Sequence, residues 1–479
     1  MAPVRFGTDG WRAILAEEFT FRNVRRVSQA IAGYLQESGW ARREVLVGYD
    51  TRFMAERFAS TVAEVLAGNG IAVGLSPAEV PTPALAYGVL ERRAAGAVMV
   101  TASHNPPEYL GLKFIPHYGG PALSDVTAAI EHHLQELDRQ EREGHLAVQS
   151  IPLDQARRQG LLESVDLRGG YLEHLMAVAR GAYRPRRAGE VVYDAMHGAG
   201  ARYAPGALES LGLRVQVLRA ERDPLFGGGA PEPVEHHLQG LREAVARRSG
   251  VLGLATDGDA DRFGVVDEGG RFLSANQVLA LVADYLLRQR GMRGALVRTV
   301  ATTHLLDRLA VEFSVPLRET PVGFKHVGAV MRSEPVVLGG EESGGLSIAG
   351  HIPEKDGILA ITLVALIWNE AGRPLSSLLE EIYSRHGRWE SRRVDLPVSE
   401  AARDRVLERL RLTPPEQCAG LKVERVTVLD GVKVVLEDGS WWLVRASGTE
   451  PVVRIYLEAP SASQLDRLEQ DVRQRLQAR

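Results

Sequence analysis

The sequence predicts an α/β protein with three similar mixed-sheet α/β domains and a smaller C-terminal α+β domain. Its 479 residues suffice for about three domains at roughly 150 residues each, and two to four are compatible with that length. Short apolar runs without strict alternation are separated by stretches with helical spacing. That pattern is typical of parallel strands covered on both faces. Beyond about residue 385 the pattern changes to the alternation of half-buried strands.

The elements of the first third alternate along the chain. We expect strands at 45–49, 71–75 and 97–100, with helices at 53–66 and 84–90 between them. The same order of elements returns near residue 190 and again near residue 274. The further predicted elements are strands at 190–193, 213–218, 251–255, 295–300 and 336–338, and helices from about 203, at 274–290 and at 463–478.

Two charged stretches, 131–143 and 385–393, are candidate domain boundaries. We expect α/β domains at residues 1–150, 151–267 and 268–385, and an α+β domain at residues 386–479. Open α/β sheets bind ligands at the ends of their strands, so the loops that follow the predicted strands are the first places to search for chemistry.

The composition excludes several classes of protein. Acidic residues outnumber basic ones by 61 to 57, so no global basic surface is available for nucleic acid or anionic lipid. Cys418 is the single cysteine, which fits a reducing compartment. The N-terminus lacks an apolar signal core, and the longest apolar stretch, 358–368, is shorter than the about 20 residues that span a bilayer. We therefore expect a cytoplasmic protein that binds neither nucleic acid nor membrane.

The first chemically interesting loop, TASHNP at 101–106, follows the predicted strand at 97–100. Ser103 is either a helix N-cap beside an Asn-Pro turn or a nucleophile and phosphate carrier. A reactive serine needs a neighbouring base or a metal. His104 is adjacent in sequence, but the side chains of adjacent residues usually diverge, so the sequence gives only weak support for His104 as that base.

The second loop, TDGDADR at 256–262, places Asp257, Asp259 and Asp261 at alternate positions. Three carboxylates this close repel one another unless a cation lies between them, and a set of oxygen ligands suits a hard ion such as Mg²⁺. The spacing to Glu268 imitates an EF-hand. However, Arg262 stands where that loop needs glycine, and predicted strands flank the motif. A solvated acidic turn is the remaining alternative.

Two further loops combine glycine with polar side chains. GGEESGG at 339–345 is either a glycine-rich turn or a loop that reads sugar hydroxyls through its acids. Its ESGG string is similar to the nucleophile loop of trypsin-like proteases. Those enzymes are β-barrels, whereas this sequence predicts an α/β fold, so we set that interpretation aside. RASGTEP at 445–451 is either a capping box at a helix start or a phosphate cradle made of an arginine, two hydroxyls and exposed backbone N–H groups.

Together with FGTDGWR at 6–12, these four loops resemble the α-D-phosphohexomutase family of phosphoglucomutases and phosphomannomutases. The resemblance covers nearly the whole chain, and the five strings in this order are specific. It implies four domains around a central cleft and a Mg²⁺-dependent transfer of a phosphoryl group between two positions of a hexose phosphate. The partners it implies are small molecules, namely hexose phosphates and a hexose 1,6-bisphosphate. The sequence leaves the oligomeric state open between a monomer and a homodimer.

The resemblance also implies roles for individual residues. Ser103 matches the phosphoserine, whose phosphate oxygen completes a Mg²⁺ site formed by Asp257, Asp259 and Asp261. The residues that match positive groups near the transferring phosphoryl group are Arg12, Lys113 and Arg262. Those that match sugar or substrate contacts are Glu341, Ser343, Lys325, Lys355 and His104. The cradle for the phosphate that is not being transferred matches Arg445, Ser447, Gly448 and Thr449.

The sequence departs from the family pattern at two positions. Leu110 stands where the first loop often carries asparagine, and Gly345 stands where several dual-specificity and aminosugar members carry histidine. Together with GGPA at 119–122, the GEESGG string is more similar to phosphoglucomutases. The hypothesis is therefore a phosphoglucomutase with possible activity on mannose phosphates. The alternatives are a phosphomannomutase, a phosphoglucosamine mutase, and a sugar-phosphate phosphatase or binder.

Overall fold

The computed structural model describes residues 4–7, 10–144, 148–181, 183–184, 188–446 and 452–477. The chain divides into two compact units. Unit 1 comprises Met1–Ala275 and Ser343–Leu375, and unit 2 comprises Asn276–Glu342 and Ser376–Arg479.

A six-stranded mixed sheet begins unit 1. Its strands are β1 (Trp11–Ile14), β2 (Val45–Tyr49), β3 (Val73–Leu75), β4 (Gly96–Val100), β5 (Tyr109–Pro116) and β6 (Leu162–Ser164). The accompanying helices are α1 (Phe21–Glu37), α2 (Ala55–Gly68), α3 (Thr82–Glu91), α4 (Ser124–Arg142) and α5 (Leu153–Arg158). The strand order is β1-β5-β4-β2-β3-β6. Strands β4, β2, β3 and β6 run parallel, and β5 runs antiparallel to both of its neighbours.

The predicted strands of this first sheet are confirmed where apolar runs are continuous. Every residue of β2 and β4 is buried, as expected for parallel strands covered by helices. The charged stretch at 131–143 falls mostly within α4, whose apolar residues Ile130, Leu134 and Leu137 are buried in the core that α1 also lines. This helix therefore belongs to the packed first domain along most of its length.

The second sheet of unit 1 has five strands. The elements of this region are α6 (Arg168–Arg180), β7 (Glu190–Asp194), α7 (Ala204–Glu209), β8 (Arg214–Leu218), α8 (Gln239–Ala246), β9 (Val251–Thr256), β10 (Phe263–Asp267) and β11 (Arg271–Leu273). The strand order is β11-β10-β9-β7-β8, with β9, β7 and β8 parallel and β10 antiparallel to both of its neighbours, β9 and β11. The acidic loop thus joins two antiparallel strands, which confirms that it is not an EF-hand.

The third region supplies elements to both units. Unit 2 receives most of α9 (Ala275–Asp284), then β12 (Ala295–Thr299), α10 (Leu305–Glu312), β13 (Leu317–Thr320), α11 (Phe324–Ser333) and β14 (Val336–Glu341). Strands β13, β12 and β14 pair in parallel. Unit 1 receives β15 (Gly345–Ile348) and α12 (Gly357–Ala371). The helix α12 is almost completely buried, and the side chain of Asp356 caps it by accepting a hydrogen bond from the Leu359 amide.

The C-terminal region of unit 2 begins after α13 (Leu375–His386). Its elements are β16 (Glu390–Pro397), α14 (Glu400–Leu412), β17 (Gln417–Cys418), β18 (Leu421–Thr427), β19 (Val432–Leu436), β20 (Trp441–Ala446), β21 (Val452–Ala459) and α15 (Ala462–Gln477). The six strands form an antiparallel sheet in the order β16-β21-β20-β19-β18-β17. The predicted alternation and the predicted closing helix are both confirmed.

Inside unit 2, the C-terminal sheet packs against the third region. Val300 shares a buried apolar cluster with Val435, Trp441 and Tyr456. The buried Lys433 donates from Nζ to the Val300 carbonyl oxygen at 2.7 Å and pairs with Glu319 at 3.0 Å. The last two domains of the chain are therefore joined by apolar and ionic contacts.

Among the described residues, no single helix has the length and apolar composition needed to cross a membrane; one bent pair, Gly357–Ala371 with Leu375–His386, meets the criterion by length and composition only.

Candidate active site

Ser103 lies in the loop that follows β4, separated from the last strand residue, Val100, by Thr101 and Ala102. Its backbone has φ of +53°, a left-handed conformation that is strained for a residue with a side chain. The Ser103 amide donates to the Thr101 hydroxyl at 2.8 Å, which stabilises this turn. Its own hydroxyl is buried and donates to Asp257 Oδ2 at 2.8 Å, across 154 residues of sequence.

The three aspartates of the acidic loop converge. Carboxylate oxygens of Asp257, Asp259 and Asp261 all lie within 4.8 Å of one another, and all three residues are fully buried. Asp257 Oδ1 accepts from the amides of Asp261 and Arg262 at 2.9 and 3.0 Å. Burial, and then the charges of Asp259 and Asp261, raise the pKa of Asp257 well above its usual value. Ionising all three carboxylates together is therefore unfavourable unless a cation neutralises their charge.

The fit to a metal ion can be tested on atoms that lack partners. Asp259 Oδ1 and Asp261 Oδ1 are buried and accept no hydrogen bond from a described residue. A buried carboxylate oxygen without a donor is costly, so these atoms are suited to a ligand. Together with Asp257 and the Ser103 hydroxyl, they form a set of oxygen ligands, which hard divalent cations prefer. These residues are therefore chemically suited to bind a hard divalent cation.

Gly258 explains how the serine loop and the acidic loop come this close. A Cβ atom at this position would lie 2.7 Å from the Ser103 carbonyl oxygen, which is nearer than a side chain tolerates. A second contact fixes the acidic loop from the side of α3, because Thr82 donates from its hydroxyl to Asp259 Oδ2 at 2.6 Å. The two loops are thus in direct contact.

Two buried lysines face the acids. Lys113 on β5 donates from Nζ to Asp259 Oδ2 at 2.6 Å and to Asp261 Oδ2 at 2.9 Å. Lys355 Nζ lies 3.2 Å from Asp261 Oδ2. Burial lowers the pKa of Lys113, but the charges of Asp259 and Asp261 outweigh burial and raise it above the usual value. Lys113 is therefore charged throughout the physiological range.

Arg12, Arg262 and His104 complete the group in unit 1. Arg12 donates from Nη1 to Asn105 Oδ1 at 2.6 Å, and Arg262 Nη1 lies 3.4 Å from Glu232 Oε1. His104 Nδ1 lies 3.4 Å from the Ser103 hydroxyl oxygen, so the two adjacent side chains do meet. Burial first, and then nearby cations, hold the pKa of His104 well below its usual value. Those cations are Arg262, Arg12, Lys113 and Lys355.

The other predicted site residues divide between the units. Glu341 ends β14 in unit 2 and is buried, whereas Ser343 belongs to unit 1. Lys325 lies in the first turn of α11 in unit 2. The neighbouring Glu342 accepts hydrogen bonds from Thr299 at 2.9 Å and from Thr302 at 3.3 Å, which ties this loop to the end of β12.

Arg445 lies near the end of β20 in unit 2, and its Nε forms an ion pair with Asp430 Oδ2 at 3.3 Å. The same carboxylate oxygen accepts from the Val322 amide at 3.0 Å, three residues before Lys325. The predicted cradle residues Ser447, Gly448 and Thr449 lie outside the described residues.

Sequence reasoning missed a buried group that supports the serine loop. Arg52 has 1% relative exposure and donates to four backbone carbonyls between residues 103 and 109. Asp50 accepts from the Thr101 hydroxyl at 2.6 Å and from the Arg52 amide at 3.0 Å. The available signal was the position of Asp50 and Arg52 directly after the buried strand β2, the same placement that singled out the other loops.

The fold and site together define an α/β protein with a buried acidic triad that could hold a metal ion. Four sequence models of the phosphoglucomutase/phosphomannomutase family match the chain in order. They are alpha/beta/alpha domain I at residues 3–141, domain II at 169–270, domain III at 274–386 and the C-terminal domain at 403–475.

Individual relatives agree with these matches over nearly full length. A phosphoglucomutase/phosphomannomutase of Thermococcus kodakarensis is 33% identical over 95% of this chain and 94% of its own. A Methanothermobacter thermautotrophicus protein described as a probable phosphoglucosamine mutase is 32% identical over 95% of this chain and 94% of its own length. The crystal structure of a Thermus thermophilus protein inferred to be a phosphomannomutase has a TM-score of 0.84 at 36% identity, with 100% of both chains covered. This chain belongs to the phosphoglucomutase/phosphomannomutase family of the α-D-phosphohexomutase superfamily, and it is an isomerase.

Proposed function

We propose that this enzyme interconverts glucose 1-phosphate and glucose 6-phosphate through a phosphorylated Ser103 and a hexose 1,6-bisphosphate. The single observation that carries the proposal is the 2.8 Å hydrogen bond from the Ser103 hydroxyl to Asp257, a member of the acidic triad. A serine that only capped a helix would have no reason to contact a buried acidic cluster from another domain.

Asp257, Asp259 and Asp261, with an oxygen at Ser103, would hold Mg²⁺. When bound, the ion supplies charge neutralisation at the transferring phosphoryl group. The Oδ1 atoms of Asp259 and Asp261, which accept from no residue that the structure describes, and the all-oxygen donor set favour this hard cation over softer metals.

The chain's own cations provide the remaining charge stabilisation. Phosphoryl transfer depends on positioning and on stabilising negative charge spread over the phosphoryl oxygens. Lys113 bridges Asp259 and Asp261 at hydrogen-bonding distance, so its ammonium is fixed beside the proposed metal ligands. Arg12 and Arg262 lie close enough to His104 for their charges to lower its pKa. They would stabilise negative charge on the same phosphoryl group.

The transfer runs in two halves. The Oγ–P bond of phosphorylated Ser103 breaks and a new O–P bond forms on a free hydroxyl of the hexose phosphate; the proton of that hydroxyl ends on Ser103 Oγ, and the product of this half is the 1,6-bisphosphate. The bisphosphate turns around and returns its other phosphoryl group to Ser103 Oγ, whose proton ends on the sugar oxygen that the phosphoryl group leaves. Binding contacts to the sugar come from Glu341, Ser343, Lys325, Lys355 and His104. Those to the phosphate that is not transferred come from Arg445, Ser447, Gly448 and Thr449.

A second candidate is a phosphoglucosamine mutase with the same mechanism. It is favoured by the similarity to the Methanothermobacter thermautotrophicus relative, whereas the glycine at position 345 favours glucose. Comparing kcat/KM for glucose, mannose and glucosamine phosphates separates the candidates. A larger value for the aminosugar phosphate would replace glucose as the proposed substrate.

Intact-mass measurement of the purified protein tests the central step. Incubation with glucose 1,6-bisphosphate is expected to add the mass of one phosphoryl group to the wild type and none to Ser103→Ala, which also loses turnover. Ser76→Ala is the matched control, because Ser76 is a second buried serine in a strand-end loop of the same domain. We expect it to gain the phosphoryl group normally. A Ser103→Ala protein that is phosphorylated or active like the wild type would contradict the proposal.

A further inference from the structure

Arg52 makes an unusual set of contacts for a buried arginine. Nη2 donates to the carbonyl oxygens of Ser103 and Asn105 at 2.7 and 2.6 Å. Nη1 donates to those of Pro106 and Tyr109, both at 2.9 Å. A single guanidinium thus binds four backbone carbonyls along one loop. Arginine is suited to this task because its donors lie in a fixed planar fork.

The loop has a reason to need such support. The left-handed conformation at Ser103 is strained for a residue with a side chain. A strained backbone persists only where its surroundings hold it in place. The four hydrogen bonds from Arg52 are charge-assisted, which makes them roughly twice as strong as neutral ones. They are therefore strong enough to offset the strain at Ser103.

Asp50 and Thr101 extend the support to the amide side of Ser103. Asp50 accepts from the Arg52 amide and from the Thr101 hydroxyl, and Thr101 in turn accepts from the Ser103 amide. The Asp50 carboxylate also lies 3.3 Å from Arg52 Nε. Both the amide and the carbonyl of Ser103 are therefore held by one connected group, which we name the Arg52 clamp: Asp50, Arg52 and Thr101.

We propose that the Arg52 clamp is a positioning device for phosphoryl transfer, which keeps the Ser103 hydroxyl on the acidic triad without itself touching the reacting atoms. This inference rests on the proposed role of Ser103 as the phosphoryl carrier. The requirement is geometric, since a misplacement of about 1 Å can cost a factor of about 100 in rate. The clamp acts on the backbone, so it works in the same way whether Ser103 is phosphorylated or free.

The test measures phosphoryl transfer to Ser103 directly. Dephosphorylated enzyme is mixed with glucose 1,6-bisphosphate, the reaction is stopped at set times, and the phosphorylated fraction is read from the intact mass. Arg52→Lys keeps the charge but cannot reach four carbonyls. At saturating bisphosphate we expect its transfer rate to fall about 10–100-fold, and KM in the mutase assay to stay within about twofold.

Arg26→Lys is the matched control for the loss of a buried arginine. Arg26 is a buried residue of α1 in the same domain, and it pairs with Asp138 and Glu141 rather than with the serine loop. We expect this variant to melt at a lower temperature and to transfer the phosphoryl group at the wild-type rate. A purely structural role for Arg52 would give the same outcome for Arg52→Lys, and that result would overturn the inference.

Thr101→Val tests the contacts of the clamp with the Ser103 amide. It removes the hydroxyl between Asp50 and the Ser103 amide and preserves the shape of the side chain. We expect slower transfer again, and an unchanged rate would count against the clamp. If Arg52→Lys does not fold, this variant decides the question alone. Failure of the proposed function looks different, because then the wild-type Ser103 itself gains no phosphoryl group.

Discussion

At the scale of single residues, Asp259 connects Lys113, Thr82 and the proposed metal. Its Oδ2 accepts from both Lys113 and Thr82, while its Oδ1 is buried and accepts from no described donor. Burial raises the pKa of Asp259, but the charge and hydrogen bond of Lys113, the hydrogen bond of Thr82 and the charge of Lys355 together outweigh burial and bring the pKa below its usual value. Asp259 is thus ionised at neutral pH, as a metal ligand must be.

Replacing Asp259 by asparagine is expected to weaken Mg²⁺ binding and activity together. The substitution removes one charge from the triad and leaves Lys113 without one of its two anionic partners. We expect the mutase rate to fall at least about 100-fold and saturation with MgCl₂ to be lost. The measurements are the rate as a function of MgCl₂ concentration and the direct binding of Mg²⁺ by calorimetry.

Asp267→Asn is the matched control for Asp259→Asn. Asp267 is a buried aspartate at the far end of β10, where it accepts from the Leu375 amide. An asparagine there can still accept that bond, so we expect normal activation by Mg²⁺. An Asp259→Asn enzyme that binds and responds to Mg²⁺ like this control would remove Asp259 from the metal site.

The role of the acidic triad was predictable from sequence, whereas the position of Arg52 after β2 marked a candidate loop without revealing what Arg52 binds. Three carboxylates at alternate positions are a local pattern whose repulsion already demands a cation. A single arginine after a strand is normally solvated, and only the fold brings the carbonyls of Ser103 and Tyr109 to it from more than fifty residues away. A sequence can thus predict a site formed by neighbouring residues, but it does not reveal hydrogen bonds from one arginine to backbone carbonyls that are distant in the chain.

At the scale of elements, the strands that sequence predicted best are those with continuous apolar runs. The prediction of 45–49 matches β2 residue for residue, because every position of that strand is buried. The edge strands β1 and β6 were not predicted, since they are short and only partly buried. Propensity is weak in such strands, and pairing with a neighbour decides their conformation.

The turn between β18 and β19 is expected to set the position of Arg445. Asp430 in this turn pairs with Arg445 and also accepts from the Val322 amide. We expect Asp430→Asn to raise KM for the sugar phosphate about 5–10-fold while kcat changes less, because the proposed cradle binds the phosphate that is not transferred. Steady-state kinetics on glucose 1-phosphate is the measurement.

Asp438→Asn provides a control from the opposite end of β19. Asp438 stabilises the next turn through the amide and hydroxyl of Ser440, both at 2.8 Å. Loss of that turn contact is expected to lower stability slightly and to leave KM unchanged. Equal KM values for the two variants would mean that Asp430 does not position Arg445.

At the scale of the whole molecule, the proposed catalytic residues divide between the two units. Unit 1 contains Ser103, the acidic triad and the cations around them, and unit 2 contains Glu341, Lys325 and Arg445. Within unit 2, a cluster of Glu319, Lys433 and Arg298 joins the last two domains. We therefore expect the loops that carry Glu341 and Arg445 to move together.

Glu319 makes the stability of unit 2 dependent on pH. Burial raises the pKa of Glu319, but Arg298 and Lys433 outweigh burial and lower it to about 2. Because the folded-state pKa lies below the unfolded value, this carboxylate stabilises the fold above about pH 4.3, and that contribution is lost as the pH falls toward 2. Burial lowers the pKa of Lys433 to about 8. The stability of the wild type and of a Glu319 variant is therefore best compared at pH 7 and below, where Lys433 is mostly protonated.

Glu319→Gln is accordingly expected to lower the melting temperature at pH 7 and to lose that difference in acid. A shift of about 2–4 °C for each kcal/mol is expected for a cooperative unit of this size. The difference from the wild type should shrink between pH 5 and pH 3 as Glu319 becomes protonated in the unfolded wild type. Glu334→Gln is the control, since Glu334 pairs with Arg318 at the surface, and such exposed pairs contribute little to stability. A Glu319→Gln protein with the wild-type melting temperature at pH 7 would show that this cluster does not hold the two domains together.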